Sequence, residues 1–333
     1  MAYRSPPVLY NENNEERKIG LELEFAGIGL ERVADIITSI YGGEVRKNHR
    51  YYIEIRNTDL GDFRVELDAR ILQKMAEEDI FDTADIDIEE RSFRKSIEDI
   101  IDKLAMSVVP VEIVMPPVSI SKFGRLEDLR KKLWEEKAEG TKGSLVHAFG
   151  MHINIEAPVL DIETILKYLR AFLLLYPWLL EKLEIDISRK LSPFVDPFPK
   201  EFVLKVLDVG YEPSQKEFIS DYIKFNPTRN RPLDLLPILA MLDEATVKRK
   251  LNGEKNTPRP TFHYRLPNSK IDDLSWTFAK EWNYWIAVEE LVQKPEMIEK
   301  LAQLYVMRKE KTLVSFKKEW VESIVILLDL NEE

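Results

Sequence analysis

The segment Ile19-Gly20-Leu21-Glu22-Leu23-Glu24-Phe25 sets Ile19, Leu21, Leu23 and Phe25 at every second position, with Gly20, Glu22 and Glu24 between them. Side chains of a β-strand alternate between faces, so this pattern predicts a strand with one apolar face toward a core. The opposite face then holds two carboxylates side by side.

Further segments repeat the alternation. Strands are predicted at 18–26, 50–57, 63–69, 108–115, 150–156 and 261–266. The connection Thr58-Asp59-Leu60-Gly61-Asp62 is rich in turn residues and predicts an antiparallel hairpin between the second and third strands. On the polar faces the same arithmetic places Glu66 and Asp68, then Glu112, then His152 and Asn154, then His263 and Arg265. Any one of these strands also reads as half-buried with its polar face in water. Taken together they carry carboxylates, imidazoles and arginine rather than the usual mixture of Lys, Thr, Ser and Glu, and those are the types that metal and phosphate chemistry needs. Brought onto one sheet, Glu22, Glu24, Glu66, Asp68 and Glu112 would repel one another unless cations intervened. Magnesium or manganese suits such a set, because both favour hard oxygen ligands and keep positions open for phosphate oxygens.

Helical spacing is clear at Leu30–Tyr41, 92–106 and 162–176, with further helices predicted at 178–183, 233–242, 275–293, Pro295–Lys309 and 313–330. Residues 76–91 are acidic and aperiodic, hence a surface loop or partner-facing insertion. Most helices follow the strands rather than crossing between them. The expected class is therefore α+β, a largely antiparallel sheet with helices on one face and a helical C-terminal part.

A basic constellation accompanies the acids. Asn226-Pro227-Thr228-Arg229-Asn230-Arg231 forms a loop, and Arg259 precedes the strand of His263 and Arg265. Arginine suits bidentate capture of phosphate or carboxylate, although such a loop is also a common salt-bridged surface turn.

Composition narrows the function classes. The chain has 333 residues, 44% hydrophobic and 32% charged, which fits one large globular domain or one with a helical extension. A net charge of -11 argues against nucleic acid as the main partner, because neutralising phosphates needs clustered Lys and Arg. The absence of cysteine excludes disulfides, a thiolate nucleophile and zinc-thiolate sites. No secretory signal is visible at the front, and the most apolar stretch, 168–180, is interrupted by Arg170 and Pro177, so a cytoplasmic protein without a membrane partner is expected. The common phosphate-loop, dinucleotide, zinc-protease and serine-hydrolase motifs are all missing.

Four motifs in this order resemble the amidoligase family, in the carboxylate-amine ligase superfamily with glutamine synthetase and glutamate-cysteine ligase. They are IGLELEF, GDFRVELDA followed by VPVEIVMPP, FGMHINIE, and the late arginine-bearing FHYRLPNS. The resemblance implies a catalytic domain over 15–272, with a sheet like that of glutamine synthetase. It assigns no role to the C-terminal helices over 273–333, which are expected to serve as packing on the same domain or as a homo-oligomer surface. It implies ATP and Mg2+ (or Mn2+) as cofactors, with small-molecule or peptide carboxylates and amines as substrates. By position, Glu24 with Asp68 (or Glu66) and Glu112 looks like one metal site, and Glu22 with His152 like part of a second. Arg265 looks like the arginine that stabilises the transferring group. Arg229 and Arg231 fall where relatives place groups for substrate and nucleotide, and Asn226 and Arg259 complete the expected nucleotide contacts. Glu66 or Glu156 is the candidate to take the amine proton.

One position departs from the family pattern. Relatives carry a glutamate metal ligand two residues before the last-strand arginine, where this chain has His263. Imidazole also binds divalent ions, so the second site either survives with a preference shifted toward manganese or zinc, or is lost. The implied reaction is ATP-dependent amide formation through an acyl phosphate. A metal-dependent phosphohydrolase and a degenerate nucleotide-binding protein are the competing readings.

Overall fold

The computed structural model describes residues 2–49, 51–67, 110–141, 149–185, 195–251, 257–309 and 316–330. Strand β1, Lys18–Phe25, lies inside a sheet whose pairings are all antiparallel. The other strands are β2 (Glu44–His49), β3 (Tyr52–Thr58), β4 (Gly61–Leu67), β5 (Val111–Val114), β6 (Val118–Ser119), β7 (Met151–Glu156), β8 (Leu233–Asp234) and β9 (Thr261–Tyr264). Their order is β2-β3-β4-β5-β1-β7-β9-β8, with β6 paired to β1 beside the main path. The predicted hairpin is β3–β4, and its turn needs Gly61, whose φ is +118°.

Register carries the alternation across the sheet. Leu23 lies opposite Ile113 and Met151, Val65 opposite Ile113, and Ile155 opposite Phe262. These residues form a fully buried apolar face. Three helices named here cover it: α1 (Leu30–Tyr41), α3 (Ile162–Lys182) and α7 (Phe278–Val292). Tyr41 of α1 stacks on Phe63 with ring centroids 5.4 Å apart, Tyr168 of α3 stacks on Phe262 at 4.7 Å, and Trp285 of α7 lies 5.2 Å from Tyr264. Each such side chain taken out of water contributes roughly 1.5–3 kcal/mol, which makes this layer the main source of stability. Asp161 caps α3 by accepting from the Thr164 amide at 2.7 Å.

The remaining helices are α2 (Glu127–Glu135), α4 (Lys200–Leu207), α5 (Gln215–Phe225), α6 (Leu236–Lys250), α8 (Pro295–Lys309) and α9 (Phe316–Leu328). Among the described residues no helix is long and apolar enough to cross a membrane.

Several predicted bounds shift for identifiable reasons. The helices expected at 162–176 and 178–183 are one, α3, which runs through Pro177 with the surrounding packing holding it. The helix expected at 233–242 is corrected: Leu233 and Asp234 are extended and pair with Tyr264 and His263, and α6 begins only at Leu236. The unpredicted strand β2, EVRKNH, is highly charged and pairs only with β3, in keeping with a sheet edge that discourages further pairing. Helices α2, α4 and α5 were also not predicted. Asp68, the acidic segment 76–91 and the helix expected at 92–106 lie outside the described residues.

Candidate functional site

The face of the sheet opposite the helices follows from the same register. Glu24, Glu112 and Glu66 are direct cross-strand partners on β1, β5 and β4. Glu22 lies opposite His152, Asn154 opposite His263, and His263 opposite Asp234. Period-two alternation on five strands, with the pairing of the short β8 to β9, thus delivers every one of these groups to one surface. Glu22, Glu24, Glu112, His152, Asn154, Asp234, His263 and Arg265 are all buried, while Glu66 is half-buried.

Glu22 is the hub. Its Oε2 lies 3.1 Å from His152 Nδ1 and 3.5 Å from His263 Nε2. Its Oε1 accepts from Asn154 Nδ2 at 3.0 Å and from Arg259 Nη1 at 3.4 Å. Burial alone would raise the Glu22 pKa, but the nearby charge of His263 and the hydrogen bond with His152 hold it well below the usual carboxylate range. Burial is also the main reason that His152 sits well below the ordinary imidazole value, so this ring is neutral and in the form that binds metals.

Glu24 faces the same histidine from the other side, with Oε1 4.0 Å from His152 Nε2, and its Oε2 accepts from the Gly150 amide at 2.7 Å. Two groups of potential ligand atoms result, each within 4.8 Å of one another: Glu22 with His152 and His263, and Glu24 with Glu112 and His152. The second has two hard carboxylates and one imidazole; the first has one carboxylate and two imidazoles. Both compositions fit a divalent cation, the first favouring ions that accept nitrogen.

The arginines divide into two kinds. Arg229 Nε donates to Asp234 Oδ2 at 3.2 Å, and Arg265 Nη1 donates to the Arg229 carbonyl at 3.1 Å. With Arg259 on Glu22, these three adjoin the carboxylate cluster. Arg231 is turned inward: it donates to Asn226 Oδ1 at 2.9 Å and to the carbonyls of Pro197, Asp196 and Phe225. Asn226 is fully buried, and its amide donates to the Tyr222 carbonyl at 3.0 Å. This pair braces the loop that presents Arg229. Asp68 falls outside the described residues, so its place in the acidic row is not described.

Asp234 is the group that the sequence reading missed. Its segment, Pro232-Leu233-Asp234-Leu235, is too short for alternation to be visible and leads straight into a helix. It is fully buried with Oδ2 3.5 Å from His263 Nδ1. Burial would raise its pKa, but His263 and Arg229 hold it below the usual value.

A single antiparallel sheet with helices over one face, and buried acids, imidazoles and arginines gathered on the other, defines a mixed α/β protein equipped to hold cations and anions together. A protein-family model described as "Putative amidoligase enzyme" matches residues 15–287. The chain belongs to this amidoligase family. No curated protein and no solved structure gives a significant match.

Proposed function

We propose that the protein is a ligase that uses ATP and divalent metal to join a carboxylate to an amine, through an acyl phosphate. The observation that carries this reading is the convergence of Glu22, Glu24, Glu112, His152 and His263 into two adjoining ligand groups in a member of the amidoligase family. The ions expected are Mg2+ or Mn2+, held by Glu24 and Glu112 and by Glu22 and His263, with the single lone pair of neutral His152 serving one of the two groups. When bound, such ions neutralise phosphate oxygens and polarise the phosphorus toward attack.

The protein's own groups then have separate tasks. Arg265, Arg229 and Arg259 bind phosphate oxygens and offset the charge that develops as the substrate carboxylate attacks the γ-phosphate. Asn226 and Arg231 contribute by holding the Arg229 loop in place. Glu66, half-buried at the outer end of the acidic row, takes the proton from the incoming amine. Carboxylate and amine do not condense usefully in water, which is why the activated acyl phosphate is needed. The catalytic unit is read as residues 15–272, with the later helices packed on the same body; the contact of Trp285 on α7 with Tyr264 supports that reading.

The test is release of ADP and phosphate by the purified protein with ATP and Mg2+ or Mn2+, against a panel of amino acids, peptides and amines. Turnover that requires both an acid and an amine, and is lost in Glu24→Gln, supports the ligase. ATP hydrolysis indifferent to amines would replace it with the phosphohydrolase.

A further inference from the structure

His263 occupies an unusual position for a buried imidazole. It is 1% exposed, and neither ring nitrogen makes a hydrogen bond of ordinary geometry. Instead the ring is suspended between two carboxylates, with Nδ1 3.5 Å from Asp234 Oδ2 and Nε2 3.5 Å from Glu22 Oε2. Two polar atoms of a buried ring held this far from their partners are poorly satisfied, which favours a further group that completes the arrangement.

Asp234 is built to hold one orientation. Oδ1 accepts from the Leu236 amide at 2.9 Å, where α6 begins, and Oδ2 accepts from Arg229 Nε at 3.2 Å. The backbone of β8 pairs Asp234 directly opposite His263. Both ends of the contact are therefore tied to main-chain structure, and turning the carboxylate away would give up its hydrogen bonds to the Leu236 amide and to Arg229. Asp234 faces Nδ1 and Glu22 faces Nε2 at the same distance, so both nitrogens meet a carboxylate in the bare ring. A cation shared with Glu22 takes the lone pair of Nε2 and leaves the proton on Nδ1, toward Asp234; Nε2 also lies on the side of the His152 ring, the two imidazole centroids being 5.2 Å apart.

We propose that Asp234 is a positioning residue that fixes the His263 tautomer and ring plane, so that Nε2 joins Glu22 and His152 as a ligand to a divalent cation. This rests on the metal reading of the preceding section, and it supplies what a histidine at this position needs: an outer carboxylate that orients the imidazole and raises its basicity. The same carboxylate oxygen holds Arg229. Cation ligand and anion-binding arginine are thereby set by one buried group.

The probe is Co2+ titrated into the full chain without ATP, followed by its visible absorption. Asp234→Asn is expected to weaken Co2+ binding by ~10–100-fold, because the amide presents an N–H to Nδ1 and drives the proton to Nε2. His263→Gln should weaken it at least as much, and the double variant should lose little more than His263→Gln alone. Undiminished Co2+ binding by Asp234→Asn, alongside weakened binding by His263→Gln, overturns the proposal and leaves the metal site standing. Undiminished binding by both His263→Gln and Glu22→Gln overturns the metal reading at this site and the proposal with it. A second measurement needs no variant: nitrogen chemical shifts of His263 in the Zn2+-loaded wild-type protein should show the proton on Nδ1. A proton on Nε2 overturns the assignment even if Asp234→Asn fails to fold.

Discussion

Among the described residues a cluster of buried charge lies on each side of the same sheet, and the two are built on opposite rules. Behind the apolar face, Glu289 of α7 meets Arg17, both fully buried. Glu289 Oε1 accepts from Arg17 Nη2 at 2.8 Å and from Trp285 Nε1 at 3.0 Å; Oε2 accepts from Arg17 Nη1 at 3.1 Å and from the Tyr168 hydroxyl at 2.6 Å. Arg17 also donates to the carbonyls of Val8 and Glu156, each at 2.7 Å. Burial and the charge of Glu289 push Tyr168 well above its usual pKa, so its hydroxyl remains a donor. One positive group faces one negative group, and the bonds are short. On the polar face the contacts around Glu22 and His263 stretch to 3.4–3.5 Å, and the buried Asn154 Oδ1 makes no hydrogen bond. A closed network is a strut. An acid-rich one with long contacts beside short ones suits the cation site proposed above.

The largest expected effect breaks the strut. Glu289→Ala leaves Arg17 buried without its counter-ion, which should cost about 3–5 kcal/mol of stability and lower the thermal midpoint sharply. Replacing both partners, Arg17→Met with Glu289→Leu, should recover most of the loss. If the single variant melted like wild type, the distinction between the two clusters would collapse.

Glu24→Gln is the matching break on the other face. It is expected to lower ligase turnover by about 10^2–10^3-fold, equivalent to ~2.7–4 kcal/mol of transition-state stabilisation, with a much smaller change in melting than Glu289→Ala. A large loss of stability with turnover preserved per folded molecule would make Glu24 a strut as well.

Cation binding itself should sharpen the contrast. A dication at about 100 times its dissociation constant stabilises the folded state by ~2.7 kcal/mol, a rise of several degrees in melting temperature that a chelator reverses. Glu22→Gln should abolish part of that rise, whereas Arg17→Met with Glu289→Leu should keep all of it. Equal cation responses in both variants would show that the ion binds elsewhere.

The two faces also differed in how readable they were. Alternation in IGLELEF and MHINIE was sufficient to put Glu22, Glu24, His152 and Asn154 on one side, because the apolar partners of each strand are unambiguous. The resemblance of the motif order then supplied a family to which the chain does belong. Asp234 was hidden because a strand of two residues has no period, and its identity as a β-residue is imposed by pairing with His263 rather than by local propensity. Asn226 and Arg231 could not be separated from Arg229 in sequence, since all lie in one polar loop; only the inward hydrogen bonds of Arg231 distinguish them. Arg17 and Glu289 were invisible for another reason. They lie 272 positions apart, and a single sequence carries no sign that they meet.

The smallest effect calibrates both clusters against an exposed pair. Asp221 Oδ2 lies 2.7 Å from Lys205 Nζ and accepts from the Tyr211 hydroxyl at 2.8 Å, and both partners of the ion pair are substantially open to water. Partial burial would raise the Asp221 pKa, but Lys205 and Tyr211 bring it below the ordinary aspartate value. A carboxylate depressed in the folded state adds stability above its unfolded pKa of about 3.9 and loses it as pH falls through the folded value. Solvent screening limits the amount, so Asp221→Asn should cost only ~0.2–1 kcal/mol at neutral pH, read from chemical denaturation. As pH falls from about 4 toward the lower folded-state value the wild-type and variant curves should converge, meeting only once Asp221 is protonated in both states of the wild-type protein. Proximity alone is common to all three clusters. If this exposed pair proved worth as much as Arg17 with Glu289, burial could not be what separates them, and the reading of the Glu22 cluster as a cation site would lose its physical basis.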